Sequence, residues 1–170
     1  MRVIGLDLSL TATGIATDTA TYTLSSRKLG LTGTARLAWY RDQITIHATH
    51  ADLAIIEGYA YGAIHKREAL GELGGTIRLA LWDHQIPYID IPPKLLKKYA
   101  TGNGNATKPE MVLAAQRHLG YTGTDHNCAD AMWLRAIAID HYTPGRTPNP
   151  TRPERDELLA QITWPERTRP

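Results

Sequence analysis

The sequence predicts an α/β fold in which a five-stranded mixed sheet is flanked by helices. Three short segments, rich in apolar residues and threonine and joined by tight links, lie within the first 26 residues and predict an antiparallel meander. From Gly33 onward the apolar period becomes helical, and later apolar segments alternate with helical ones, which adds parallel strands through helical crossovers. A chain of 170 residues is long enough for one domain with a sizeable core.

The first half of the chain contains four predicted strands and one helix. The strands of the meander are predicted at residues 2–8, about 13–18 and about 20–26. A helix follows from Gly33 to about residue 50, because apolar side chains recur there at helical spacing. The segment "DLAIIEG" then predicts a fourth strand, and its continuous apolar run is typical of a strand that is buried on both faces.

The next predicted element is a long helix at residues 65–84, which contains Gly71, Gly74 and Gly75. Each glycine costs about 1 kcal/mol relative to alanine in a helix. Close contact with a neighbouring element usually compensates this cost, so we expect the three glycines to form a packing face. That face belongs either to an interface with another copy of the chain or to a contact with the chain's own sheet.

The remainder of the chain is predicted to be mainly helical. "IPYIDI" predicts the fifth strand, and Pro92-Pro93 opens a short basic helix. A glycine-containing loop leads to a helix that begins near Thr107, and the last strong helix runs over residues 125–141. We assign residues 1–143 to the domain and residues 144–170, with six prolines, to an extended Pro/Arg-rich tail in which "ERDELLAQI" adds one helical segment.

Composition excludes several classes of protein. The single cysteine, Cys128, excludes an internal disulfide framework and a Cys-rich zinc site, and it is predicted to be a small buried residue. Asp7 interrupts the first apolar run, so this run is not expected to be a signal peptide. No apolar stretch approaches the 18 residues of a membrane span, and a cytoplasmic location is expected. The net charge of +2 does not by itself indicate a nucleic-acid-binding protein.

Three acidic residues stand where apolar segments end. Asp7 and Glu57 end the first and fourth strands, and Asp130 lies one turn into the last helix. A buried carboxylate must be paired, hydrogen-bonded or bound to a cation. Converging oxygen ligands suit Mg²⁺ or Mn²⁺, and two such ions about 4 Å apart promote phosphodiester hydrolysis. The alternative for each residue taken singly is a turn, a cap or a favourable interaction with a helix dipole.

Polar residues next to Asp130 are further candidate ligands. Asn127 and His126 precede it by three and four residues, so both share a helix face with it. Asp125 points elsewhere if the helix already includes it.

The stretch "KLLKKYATGNGNATKPEM" predicts a surface that binds phosphate groups. Gly102 and Gly104 allow the backbone to approach an anion closely, and Lys97, Lys98 and Lys108 flank them. The alternative is a flexible loop with solvated lysines. The stretch lacks the Walker pattern, which disfavours a nucleotide cofactor.

Two aromatic residues follow the fourth strand. Tyr59 and Tyr61 either stack on unpaired bases or pack against the helix at residues 65–84.

Taken in order, five motifs carry a resemblance to a known family. The chain resembles the RuvC-type Holliday junction resolvases, and it is most similar to their compact phage and prophage branch. The resemblance covers residues 2 to about 140 and includes an acid in the first strand, a Glu ending the fourth, a G-x-G-x-A-x-K loop and an A-D-A helix. The motifs are "GLDLSLTATGIA", "AIIEGYAYG", "ELGGTIRLAL", "IDIPPKLLKKYATGNGNATKPEM" and "HNCADAMWL".

This resemblance implies an RNase H-like fold and a homodimeric, metal-dependent endonuclease that makes paired, symmetrical nicks in four-way DNA junctions. It implies that Asp7, Glu57 and Asp130 are catalytic, metal-binding acids and that Lys97 and Lys108 contact DNA near the scissile phosphate. Mg²⁺, which Mn²⁺ can replace, is the implied cofactor. The helix at residues 65–84 is the expected dimer interface.

The chain departs from the family pattern at two positions. Asn127 stands where the family commonly has Asp or His, so its carbonyl oxygen is a candidate catalytic metal ligand without charge, and His126 or Asp125 are alternatives. Ala60 stands where some members carry an aromatic residue, which bears on junction selectivity.

Other functions remain open on the same residues. They are a broader flap- and fork-cleaving nuclease, an RNase H-like nuclease that acts on RNA precursors, and a non-catalytic junction-binding protein. An actin-like ATPase or sugar kinase would need a second domain.

Overall fold

A computed structural model describes residues 1–58, 64–145 and 154–166, with the side chains of residues 64–67 left out of the description. The predicted five-stranded mixed sheet flanked by helices is confirmed, with strand order β3-β2-β1-β4-β5. The pairs β1–β2 and β2–β3 are antiparallel, whereas β1–β4 and β4–β5 are parallel. The strands are β1 Val3–Asp7, β2 Thr13–Ala16, β3 Thr21–Leu24, β4 Leu53–Glu57 and β5 Tyr88–Ile91.

Helices cover both faces of this sheet. Successive side chains of a strand point to opposite faces, so the apolar residues of one strand pack against helices on both sides. Ile4 and Leu6 of β1 pack with α1 and α2, while Val3 packs with the helices on the other face. The long predicted helices are confirmed with small shifts at their ends. The helices are α1 Gly33–Ala48, α2 Ile64–Asp83, α3 Pro93–Thr101, α4 Lys108–Leu119, α5 His126–Tyr142 and α6 Arg155–Ala160.

Two of the three glycines in α2 face open space as far as the described residues show. A Cβ added at Gly71 or Gly75 would meet nothing within 4 Å, whereas Gly74 is buried. The core face of α2 is instead formed by apolar residues such as Leu73 and Ile77, which are fully buried. Packing against the chain's own sheet therefore does not explain why α2 has glycine at positions 71 and 75.

Residues 154–166 contain α6, within the segment "ERDELLAQI" that is predicted to add a helix to the Pro/Arg-rich tail. Helix α6 packs on the domain, with Leu158 and Leu159 buried in its core. The Trp164 ring stacks on His141 with centroids 4.2 Å apart. Prolines on both sides favour an extended chain, but the short apolar segment between them has enough surface to bury against α3 and α5. The division of the chain at residue 143 stays a proposal.

A buried ion pair also fastens α6. Asp140 of α5 is fully buried, its Oδ2 lies 2.8 Å from Arg155 Nε, and the Tyr99 hydroxyl donates to the same oxygen at 2.6 Å. The contact with Arg155 is an ion pair and not an aligned hydrogen bond. Within the described ranges, no helix has the length and apolar character needed to cross a lipid bilayer.

Candidate active site

The sheet topology brings two of the predicted acids to one edge. Strands β1 and β4 are parallel neighbours with Leu6 opposite Ile56, so the next residues, Asp7 and Glu57, lie side by side at the carboxyl ends of their strands. The two side chains lie close enough for the charge of Glu57 to raise the pKa of Asp7. Open α/β sheets commonly place their sites at such strand ends.

Two glycines allow α5 to bring Asp130 to the same edge. A Cβ at Gly14 would collide with the carbonyl oxygen of Asn127, and a Cβ at Gly5 would collide with that of Ala131. Gly14 is also the register partner of Asp7. The start of α5 therefore lies directly on β1 and β2. Sequence reasoning missed this role, although a glycine within a strand is itself a signal of close backbone approach.

The ionised forms of the three carboxyl groups are disfavoured, mainly by burial. Burial, followed by the charges of Glu57 and Asp130, raises the pKa of Asp7 well above its ordinary value. Burial and the charge of Asp130 raise the pKa of Glu57 to about 7. Burial also raises the pKa of Asp130 to about 6, and its Oδ1 atom is buried without a hydrogen-bond partner among the described residues. We call Asp7, Glu57 and Asp130 the acid cluster.

Two of the predicted lysines face the acid cluster. The charge of Lys108 lowers the pKa of all three carboxyl groups, and the charge of Lys97 lowers the pKa values of Glu57 and Asp130. Lys98 is exposed, and as the next residue along α3 it is rotated about 100° from Lys97. The structure thus brings Lys97 and Lys108 to the acids but not Lys98.

Asp125 serves as the N-cap of α5 and does not face the acid cluster as a ligand. Its Oδ1 accepts hydrogen bonds from the backbone N–H of Asn127 at 2.9 Å and from Asn127 Nδ2 at 3.0 Å. Its Oδ2 accepts from the Thr23 hydroxyl at 2.6 Å. Burial raises the pKa of Asp125, but these hydrogen bonds outweigh it and the pKa lies below its ordinary value. Both oxygens are thus used in holding α5 to β3.

The remaining candidates have different surroundings. The Asn127 side chain donates through Nδ2 to Asp125, which leaves its carbonyl oxygen for another partner. The Nε2 atom of His126 lies 3.1 Å from Lys108 Nζ. Tyr59 and Tyr61 lie outside the described residues.

The acid cluster fits a divalent cation by donor type and charge. Carboxylate and amide oxygens are the ligands that Mg²⁺ prefers. The mutual repulsion of the cluster and the unpartnered Asp130 Oδ1 are what a cation would relieve. In the described part of the chain, no three His, Cys, Asp or Glu side chains are already drawn together as ligands around one point.

Sequence comparison finds similar curated proteins, although no model of a known protein family matches the chain. A protein named crossover junction endodeoxyribonuclease RuvC from Gloeobacter violaceus is 27% identical over 157 residues, which span 85% of this chain and 91% of that protein. A protein of the same name from Nocardia farcinica is 35% identical over 95 residues, 55% of this chain and 50% of that protein.

Comparison with solved structures agrees with the sequence comparison. The chain is similar to Thermus thermophilus RuvC with a TM-score of 0.68 and 18% identity, covering 86% of this chain and 98% of that one. It is also similar to T. thermophilus RuvC in complex with Holliday junction substrate, with a TM-score of 0.70, 17% identity and the same coverage, 86% and 98%. The RNase H-like fold and the resemblance to RuvC-type proteins are confirmed, whereas the phage-like branch is not.

Proposed function

We propose, from the premise that this chain is RuvC-like in sequence and fold, that it is a metal-dependent, structure-selective endodeoxyribonuclease. Its substrate is the four-way (Holliday) DNA junction, which it resolves by paired symmetrical nicks. The observation that supports this most is the acid cluster, in which the buried Asp7 lies beside the half-buried Glu57 and Asp130 and their charges raise the pKa of Asp7. The names of the similar proteins supply the substrate class.

Asp7, Glu57 and Asp130 are the proposed catalytic metal ligands, and the carbonyl oxygen of Asn127 completes the set. Mg²⁺, replaceable by Mn²⁺ and bound as two ions, would activate water and stabilise the leaving oxygen. His126 and Asp125 are less suited as ligands, because Lys108 contacts His126 Nε2 and the α5 cap uses both side-chain oxygens of Asp125.

Lys97 and Lys108 are proposed to contact the phosphates next to the acid cluster. Each places a positive charge close enough to lower carboxyl pKa values, so an incoming phosphate would meet these charges before it reaches the acids. Lys98 stays in the proposal as a phosphate contact, and Tyr59 and Tyr61 stay in it as residues that stack on unpaired bases.

The exposed face of α2 is proposed to form a homodimer. Gly71, Gly75, Leu79 and Trp82 recur at helical spacing on this face, and the side chains of Leu79 and Trp82 are 61% and 71% exposed. The small residues allow two helices to approach closely, and a two-fold dimer presents two equal sites to a junction. Light scattering after size exclusion tests this: wild type elutes as a dimer and Trp82→Glu as a monomer, whereas a monomeric wild type at micromolar concentration contradicts it.

The first experiment is cleavage of labelled DNA in Mg²⁺ and in Mn²⁺, with a four-way junction, a flap, a Y-fork and a plain duplex. Asp7→Asn removes one proposed ligand. Asp156→Asn makes the same chemical change at a side chain that is 92% exposed and serves as the matched control. Symmetrical nicks confined to the junction, lost in Asp7→Asn and kept in Asp156→Asn, are expected.

Other outcomes reassign the function. Equal cleavage of all branched substrates makes the protein a broader debranching nuclease. Binding without cleavage in either metal makes it a non-catalytic junction-binding protein.

A further inference from the structure

A side-chain contact joins the basic loop to the start of α5. Lys108 Nζ lies 3.1 Å from His126 Nε2. An ammonium group has only donors, so Nε2 must accept, and the proton of the neutral ring lies on Nδ1. The Nδ1 atom is buried and has no hydrogen-bond partner among the described residues, so the contact with Lys108 is the hydrogen bond that orients the ring.

Both residues of this contact have fixed backbones. Lys108 is the first residue of α4, and Thr107 and Glu110 form a capping box around it, with Thr107 N–H donating to Glu110 Oε2 at 2.6 Å. His126 is the first residue of α5 and directly follows the N-cap Asp125, which is held by Thr23. The two helix starts are therefore rigid, and the long Lys108 side chain is the adjustable part.

The other end of this arrangement is the acid cluster. The charge of Lys108 lowers the pKa of Asp7, Glu57 and Asp130 alike, so the ammonium group that contacts His126 also lies near all three acids. A lysine side chain has a flexible four-carbon stem with three rotatable N–H donors. When one donor is held by His126, the other two stay available for the acids or for a phosphate beside them.

We propose that His126 is a positioning residue, which holds the Lys108 ammonium group over the acid cluster by accepting its hydrogen bond, and is not a metal ligand. This role rests on the nuclease activity proposed above. The Nδ1–H tautomer leaves the ring without a lone pair for a metal ion while Lys108 is bound. Sequence reasoning grouped His126 with Asp130 because of helix spacing, and the contact with α4 could be seen only once the two helices were docked.

The test is a double-mutant cycle on junction cleavage with His126→Leu, His126→Gln and Lys108→Met. We expect His126→Leu to lower kcat about tenfold. His126→Gln should recover most of that loss, because its amide oxygen can accept from Lys108. In the Lys108→Met background, His126→Leu should have no further effect. An equal loss in both backgrounds, or a raised Mg²⁺ requirement in His126→Gln with Lys108 intact, would overturn the proposal.

A second measurement does not depend on cleavage. Long-range ¹H–¹⁵N NMR of the wild-type protein at pH 8 should show His126 with a protonated Nδ1 and an unprotonated Nε2, and Lys108→Met should lose this fixed tautomer. An Nε2–H tautomer in the wild type refutes the contact. If the tautomer is as expected but no DNA substrate is cleaved by the wild type, the proposed nuclease function fails and the contact stands.

Discussion

Each end of α5 places an acid away from solvent, but the two acids have opposite kinds of surroundings. At the carboxyl end, Asp140 is fully buried, forms an ion pair with Arg155 and accepts a hydrogen bond from Tyr99. Its partners come from α6 and α3, so the charge ties three helices together. The chain itself thus supplies a cation and a hydrogen-bond donor for Oδ2 of this buried carboxylate, while its Oδ1 has no hydrogen-bond partner among the described residues.

At the amino end, Asp130 lies with Asp7 and Glu57. The charges of Glu57 and Asp130 raise the pKa of Asp7, and the charge of Asp130 raises the pKa of Glu57. Lys97 and Lys108 offset this only in part, and among the described residues neither forms an ion pair within 4.0 Å with these acids. Burial of an acid is therefore a weak sign of a site. Burial of acids that the chain leaves uncompensated is a strong one, because an uncompensated buried charge is costly.

The largest expected contrast comes from removing one charge at the amino end. Asp7→Asn should reduce junction cleavage on the order of 10³-fold, because metal-ion catalysis supplies several kcal/mol of transition-state stabilisation. In metal-free buffer at pH 8 the same variant should unfold at a higher temperature than wild type, because one repelling charge has gone. Single-turnover cleavage and thermal unfolding in EDTA measure the two effects. A variant that cleaves normally, or that is less stable without metal, contradicts the contrast.

Breaking the pair at the carboxyl end should have the opposite effect. Arg155→Met leaves the charge of Asp140 buried without its cation, which should lower the free energy of unfolding by about 3–5 kcal/mol. Urea denaturation measures this loss. Adding Asp140→Asn to Arg155→Met should recover part of it, since the buried charge is then gone. Cleavage per folded molecule should stay near the wild-type value, and a loss of activity in well-folded Arg155→Met would show that the two ends are coupled.

The two ends also differ in how far the sequence predicts them. Asp7 and Glu57 end apolar runs, so their two strands follow from short-range patterns, whereas the pairing that makes the two acids neighbours is a long-range contact. Asp140 lies within a helical stripe and Arg155 in a proline-rich segment, and only long-range docking of α6 makes them partners. The same limit explains Gly71 and Gly75, whose open surroundings depend on which face of α2 meets the core.

The acids at the amino end of α5 should make the free energy of unfolding depend on pH, and the sign of this dependence follows from their pKa shifts. Glu57 and Asp130 have folded-state pKa values of about 7 and about 6, above their ordinary values of 4.5 and 3.8. The folded chain thus holds protons that the unfolded chain releases. The stability they contribute is present below about pH 4 and is lost as pH rises through 6 and 7.

Metal-free wild type should accordingly lose on the order of 2 kcal/mol relative to Glu57→Gln between pH 5 and pH 8. The difference between the two proteins removes effects common to both. Urea denaturation at several pH values in EDTA gives the two curves. Parallel curves for the two proteins would show that the charges at the amino end are as well compensated as the charge of Asp140. Addition of Mg²⁺ should restore wild-type stability at pH 8.

The smallest expected effect tests why the amino end has an amide at position 127. The Asn127 side chain donates to Asp125 Oδ1, so Asn127→Asp replaces a hydrogen bond with a repulsion at the start of α5. We expect this change to lower the metal-free free energy of unfolding by about 1 kcal/mol. The added charge should also lower the Mg²⁺ concentration that gives half-maximal thermal stabilisation.

Asp125→Asn separates these two consequences, because it weakens the cap without adding charge beside the acid cluster. It should therefore lower metal-free stability but leave the Mg²⁺ requirement unchanged. If Asn127→Asp behaves in the same way as Asp125→Asn, Asn127 belongs only to the helix cap. A lower Mg²⁺ requirement in Asn127→Asp alone would instead mean that its neutral amide keeps the start of α5 stable at the expense of metal affinity.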